Sequence, residues 1–480
     1  VGRVISAGGV RGMGERWNDA AAREAVRLLL EGRTASQVLD FDDPACWTAV
    51  DQAARAFGRY GWEDYDPRTS DRLRQRPETA LCHPDGRVRE DALASGPRTP
   101  SFWHLVVVRC TDWAEPVRLR ARDLLTERLR SGPEETLRAL TPLVLRLGRR
   151  EEGVWAHGLF EEALRAVPHL APNLLRETRD NATRRLAARI MLDHGQLDVR
   201  ALARHAAEDP DPVLARLWSD AVLAAMAADG SDDRAVDILL GGRMPFVRSA
   251  GVTALRRAGR AQEAVHHLAD RSGLVRACAR WVISQDGGDP HARHLELCEH
   301  LDTVAPYALT GLAECGRRED AALLRRLLTH PADGVRAQAV AGLRLLESAS
   351  VETVLPLVDD PAAAVVREAA RALLPYARRL RADRLTERLS PRWPTPTRRA
   401  AFRLLRERGG LVQLRASVAL LADADPKLRR TAEVSVQQRT WTHQIPPGAA
   451  EVNRLLRRCA HLFSDDVMAV TRTRIGLAGA

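Results

Sequence analysis

The run DPHARHLELCEH holds His291, His294, Cys298 and His300. Imidazole and thiolate are the donors zinc prefers, and positions 291, 294 and 298 would share one face of a helix. A single helix rarely closes a four-ligand shell. Neither C-x-x-C nor H-E-x-x-H accompanies the run, so the sequence predicts no metal. Other chemistry is missing too. The chain has no G-x-x-x-x-G-K-[ST] to cradle a phosphate and no G-x-S-x-G to carry a nucleophile. Gly241-Gly242, Gly287-Gly288 and Gly409-Gly410 read as turns between helices. The expectation is a protein without a catalytic centre or cofactor.

Charge is the chemistry that remains. The chain has 73 Lys and Arg against 63 Asp and Glu, a net charge of +10. Residues 367–480 hold 23 basic and 10 acidic residues, a net +13, whereas residues 1–366 carry a net −3. The whole excess therefore lies in the last quarter. Its densest part is 378–415. There we place a candidate basic patch of Arg378, Arg379, Arg381, Arg384, Arg388, Arg392, Arg399, Arg403, Arg406 and Arg408. Arg399, Arg403 and Arg406 share a helical face by their spacing of four and three. A local positive field of this kind attracts an acidic protein, or a nucleic acid. Lysine occurs only at Lys427, so the preference for Arg reflects composition rather than a need for the guanidinium fork.

The elements that must position these residues follow from composition and period. Hydrophobic residues make up 45% of the chain and aromatics only 4%, with Ala and Leu dominant, which favours helix. No run of apolar residues is long enough to span a membrane. The seven cysteines are odd in number and not closely paired, which points to a reducing compartment. The opening VGRVISAGGVRGMG lacks the apolar core of a secretory signal. Together these predict a cytoplasmic protein.

An arginine recurs along the chain with a small residue three positions later. Arg336, Arg367, Arg398 and Arg429 are followed by Ala339, Ala370, Ala401 and Ala432, then by Leu343, Leu374, Leu405 and Val436. The frame extends back through positions 89, 118, 155, 185, 216, 248, 276 and 307, with Trp155 and Tyr307 in place of Arg. Positions −1, +3 and +7 form one stripe on a helix, and the +3 site must be small where another helix backbone crosses. Asp211-Pro212, Asp360-Pro361 and Asp425-Pro426 read as an N-cap followed by Pro at the first helical position. A second amphipathic segment, such as 321–329 or 351–358, completes each unit. Such a unit buries its apolar face only by stacking on its neighbours.

Asp333-Gly334-Val335-Arg336-Ala337-Gln338-Ala339-Val340-Ala341-Gly342-Leu343 resembles the short bacterial form of the HEAT repeat, D-x-x-V-R-x-x-A-x-x-x-L. The resemblance covers roughly residues 81–445. It implies an all-α fold, an α-solenoid of about twelve antiparallel helix pairs. It also implies that each anchor arginine pairs with a turn aspartate of a neighbouring unit, for which Asp333, Asp360 and Asp425 are available. We expect residues 1–80 to be a helical N-terminal cap region, 81–445 the repeat array, and 446–480 C-terminal cap helices and a tail. Phe41, Trp47, Phe57, Tyr60, Trp62 and Tyr65 concentrate in the first region.

A solenoid presents an extended surface suited to another macromolecule. The leading expectation is a non-enzymatic scaffold or adaptor whose basic quarter contacts an acidic protein. The alternative is a nucleic-acid-binding or repair protein similar to the HEAT-like alkylpurine DNA glycosylases, which use an Asp and Trp residues. Trp155, Trp218 and Trp281 lie on second helices, but Asp220 follows Trp218 by two positions and points nearly opposite. The sequence predicts that these tryptophans belong to the core. It leaves the partner's identity and the oligomeric state open.

Overall fold

A computed structural model of the chain describes residues 17–56, 69–445 and 450–477. Among the described residues the regular structure is helix, and no strand forms. The chain divides into two compact units, Val1–Ala225 and Met226–Ala480.

In the second unit the helices Pro306–Cys315, Asp333–Leu345, Ala363–Leu373 and Thr395–Arg408 pack each on the next. Shorter pieces lie between them. Val351–Val354 is α-helical, then Pro356, which has no amide proton, leaves Leu355–Asp359 as a 3-10 turn. Val335, Ala339, Leu343, Val366, Ala370, Ala401, Leu405, Leu428 and Ala432 share one core, as their spacing requires. A second core gathers Leu414, Val436, Trp441, Leu456 and Ile475, where the helix Ala450–Arg458 packs on Gly410–Ala419.

The small +3 site has a geometric cause that is clearest at Gly251. A Cβ there would lie 2.7 Å from the backbone nitrogen of Leu240, on the preceding helix Asp233–Leu240. Two backbones cross at that point, and only a glycine fits.

Helix starts follow the sequence in part. Asp425 caps Pro426–Gln437, accepting the amides of Lys427 and Leu428 at 2.8 and 3.2 Å. Asp360 does something different. Its helix begins at Ala363, and its carboxylate accepts the amide of Ala362 at 2.8 Å within the turn. That leaves Asp360 free to face the preceding unit.

In the first unit the repeat frame slips. Val154 is 60% exposed, and Gly158 is exposed as well. The buried stripe of Val154–Ala166 is Ala156, Phe160 and Leu164. Trp155 is thus not an anchor. The 3-10 turn Glu151–Gly153 ahead of the helix rotates it by two positions.

The N-terminal aromatics that fall among the described residues are core. Trp47 is fully buried, stacks on His104 at 4.5 Å and meets Phe41 edge-on at 5.0 Å. Phe57, Tyr60, Trp62 and Tyr65 lie outside the described residues. The helix Pro44–Ala56 packs on Pro133–Leu147 and on Pro100–Arg109, and a buried charge network links it to the latter. Asp112 takes Arg89 at 2.9 and 2.7 Å, Arg109 at 2.9 Å and Arg55 at 2.9 Å, while Asp51 takes Arg55 and Arg109. Buried guanidiniums survive only with such pairing.

Candidate interaction surface

Seven of the ten anchor arginines fall into two sets. In the first, the guanidinium fork joins consecutive units. Arg336 donates to Asp360 at 2.9 and 2.8 Å, and to its own turn's carbonyls at His330 and Pro331 at 2.8 and 3.0 Å. Arg89, Arg185 and Arg248 make the same fork to Asp112, Asp211 and Asp270. Arg398 pairs with Asp423. Burial opposes ionisation of Asp360, yet the Arg336 fork and the Ala362 amide hold its carboxyl below the usual range. Of the three expected partners only Asp360 takes an anchor. Asp425 takes Arg399 at 2.7 Å instead, and Asp333 accepts the neighbouring amide of Gly334.

In the second set the anchor faces water. Arg216 is 75% exposed and 3.8 Å from Asp220. Arg367 is 60% exposed and 3.7 Å from Glu368. The repeat frame by itself does not separate these sets. Arg216 and Arg367 lack the aspartate 22 to 26 residues downstream onto which Arg89, Arg185, Arg248, Arg336 and Arg398 close, whereas Arg276 forks onto Glu314, 38 residues on.

The ten arginines of the basic patch meet different fates. Arg388 forks onto Asp359 at 2.7 and 2.5 Å and lies 5.3 Å over the Trp393 ring. Arg408 donates to the carbonyls of Ala377, Arg378 and Leu380 at 2.9, 2.9 and 2.5 Å. Both fasten one unit to another. Arg381 pairs with Asp383 at 2.6 Å, Arg384 lies 3.9 Å from Glu387, and Arg392 also takes Glu387. Arg399 takes Asp425, as above. Arg406 is partly buried, 5.8 Å over the Phe402 ring. Arg378, Arg379 and Arg403 are exposed. Arg379 and Arg403 make no ion pair among the described residues.

Of the ten proposed arginines, Arg379 and Arg403 are thus the exposed ones without an ion pair among the described residues. Arg403 sits on Thr395–Arg408, which packs on both Ala363–Leu373 and the 3-10 turn Leu374–Arg379. Arg367 and Arg371 project from the first of these, 60% and 44% exposed, and share Glu368. Arg379 ends the second. A groove of about 730 Å³ nearby is lined by Asp383, Glu387 and Asp423 as well as Arg392 and Arg398, so it carries both signs.

The metal-type residues do not converge. His291 meets Asp320 at 2.9 Å, His294 is fully buried, Cys298 is 1% exposed and His300 is exposed. No group of three or more His, Cys, Asp or Glu that could hold a metal occurs among the described residues. The tryptophans separate. Trp218 is fully buried against His205, as expected, whereas Trp281 is 45% exposed and does not belong to the core. No described helix is long and apolar enough to cross a membrane.

No protein family matches the chain, and no curated protein matches it. Solved structures do. An engineered protein is 17% identical with a TM-score of 0.19, over 88% of this chain and 98% of that one. Kap121p bound to RanGTP is 14% identical with a TM-score of 0.26, over 97% of this chain and 50% of Kap121p. A full-length AP-3 complex in an intermediate open conformation gives 9% identity and a TM-score of 0.25, over 94% and 91%. Scores this low carry no argument about this chain.

Proposed function

We propose that the chain is a non-enzymatic, cytoplasmic scaffold of HEAT-like repeats that holds an acidic protein against its C-terminal quarter. Residues 1–80 and 446–480 act as caps of the array in this reading. The observation that carries it is the uneven charge. Residues 367–480 have a net +13 while the rest of the chain has a net −3. The exposed arginines on adjacent elements, Arg367, Arg371, Arg379 and Arg403, offer that charge to solvent.

The geometry favours an extended acidic surface over a small anion. The arginines lie along successive helices, and the nearby groove is of mixed sign. Partner capture by the wild-type chain and by a variant with Arg367, Arg379 and Arg403 changed to Glu tests the reading. None of the three makes a fork that joins units, so the variant should retain its helical circular dichroism. The proteins recovered by the wild type should be lost from the variant, and lost from the wild type as salt screens the contact. Equal recovery by both would remove the patch from the function. If nuclease treatment abolishes recovery and a DNA or RNA duplex binds with a steep salt slope, the nucleic-acid reading replaces this one.

A further inference from the structure

The helix Gly273–Gln285 presents an exposed face without a charged residue that points to solvent unpaired. Its charged residues are Arg276 and Arg280, and both turn toward Glu314 on Pro306–Cys315, Arg276 at 3.1 Å and Arg280 at 2.7 Å. Its buried stripe is Val275, Ala279, Val282 and Ile283. Leu274, Ala277, Cys278 and Trp281 lie outward at the i, i+3, i+4, i+7 spacing of an amphipathic contact face, with Cys278 half-buried and Ser284 and Gln285 exposed at the helix end. Leu274 is 51% and Trp281 45% exposed. Tyr307, at the start of the next anchor helix, is 37% exposed, and its ring lies 6.0 Å from the Arg276 guanidinium.

The rim of this patch is positive. Arg243 and Arg271 stand in the turns before Pro245–Arg257 and Gly273–Gln285, and Arg256 and Arg257 end the first of these helices. All four are exposed, and none has an ion-pair partner among the described residues. The Arg256 guanidinium lies 5.9 Å from the Trp281 ring, which ties the rim to the stripe. Asp286, at the helix end, is hydrogen-bonded to Gln262 at 2.7 Å.

We propose that this face is a docking site for an acidic amphipathic helix of a partner protein. The partner would lay leucine-like side chains along Leu274, Ala277, Cys278 and Trp281 and set carboxylates against Arg243, Arg256, Arg257 and Arg271. The aliphatic part of the stripe favours a peptide over single-stranded nucleic acid, which needs successive aromatic platforms. The inference rests on the reading of the chain as a protein-binding scaffold but uses a surface separate from the C-terminal arginines.

The test selects a displayed library of random peptides, about 16 residues long, on the full chain, long enough for about four helical turns. Selected peptides should place Asp and Glu around Leu, Ile or Phe at helical spacing. Their affinity should fall about tenfold or more in Trp281→Ser and in Arg256→Glu with Arg271→Glu. Leu274→Asp serves as an independent variant, and an unshifted thermal melt confirms each fold. No enrichment over an unrelated helical protein overturns the proposal, as do peptides without acidic bias or affinities unchanged in the variants. A single-stranded oligonucleotide that binds the wild type and is lost in Trp281→Ser, in place of acidic peptides, overturns it in favour of nucleic acid. An Arg367→Glu, Arg403→Glu variant separates the two surfaces. Peptides lost there but held by Trp281→Ser overturn this site and leave the C-terminal reading standing, and the reverse result supports this site.

Discussion

At the scale of single residues, two arginines of the same repeat frame do opposite things. The side chain of Arg336 is 13% exposed and that of its partner Asp360 7%, so removing the arginine strands a carboxylate in a poorly solvated turn. Arg336→Ala should cost about 3 kcal/mol in urea unfolding, and Arg403→Ala about 0.5 kcal/mol or less. A cycle with Asp360→Ala would show the pair's coupling, which the Arg403 variant lacks. His294 makes a second residue-scale case. Burial pushes its imidazole down to about 4, with Arg280 and Arg276 adding to the effect, Glu314 opposing it, and His291 nearby. The unfolded chain binds that proton near pH 6.5 and the folded chain does not. Stability therefore falls as pH drops from about 6.5 to about 4, by about 3 kcal/mol from this group. His294→Leu should flatten that part of the profile relative to wild type; parallel profiles would contradict the assignment.

At the scale of elements, the question is how closely helices cross. Gly251 marks a crossing where a Cβ would strike the Leu240 backbone at 2.7 Å. Gly251→Val should lower stability by about 1–3 kcal/mol through forced backbone shifts. Gly158 stands at the position the repeat frame equates with it, yet a Cβ there meets nothing within 4 Å. Gly158→Ala should be neutral or stabilising by up to about 1 kcal/mol, since helical glycine costs conformational entropy. Thermal melts of the two variants would establish whether the frame slips at Trp155 as the structure has it. The helix starts carry a related lesson. An aspartate before a proline reads as an N-cap, and Asp425 is one. Asp360 also precedes a proline, but its helix starts later, at Ala363, and both its oxygens accept from the anchor Arg336.

At the scale of the whole molecule, charge and apolar surface are both placed unevenly. The net +13 of residues 367–480 predicts that partner affinity through that region falls with ionic strength. A contact through Trp281 and Leu274 should persist in more salt, because burial of apolar area is not screened. Measuring recovery of partners across a salt series, with the Arg367, Arg379, Arg403 variant and the Trp281 variant side by side, would resolve the two contributions.

The sequence by itself determined the helical class, the period of the stacked units in the second half and the small residue at crossings such as Gly251, though not at Gly158. Those features depend on neighbours along one helix and on spacing, which composition and periodicity record. It also located the charge excess, which is a sum over residues. Only the tertiary structure decided which arginines remain available. Arg388 and Arg408 look like Arg379 and Arg403 in sequence, but they meet Asp359 and the turn carbonyls of residues 377–380 across unit boundaries. Likewise Trp218 and Trp281 share an apolar setting in sequence, and one is buried while the other faces water. The physical reason is the same in each case. A guanidinium or an indole is used up or left exposed by what a neighbouring unit brings within a few ångströms, and the rotation of each helix against that neighbour is not written in its own period.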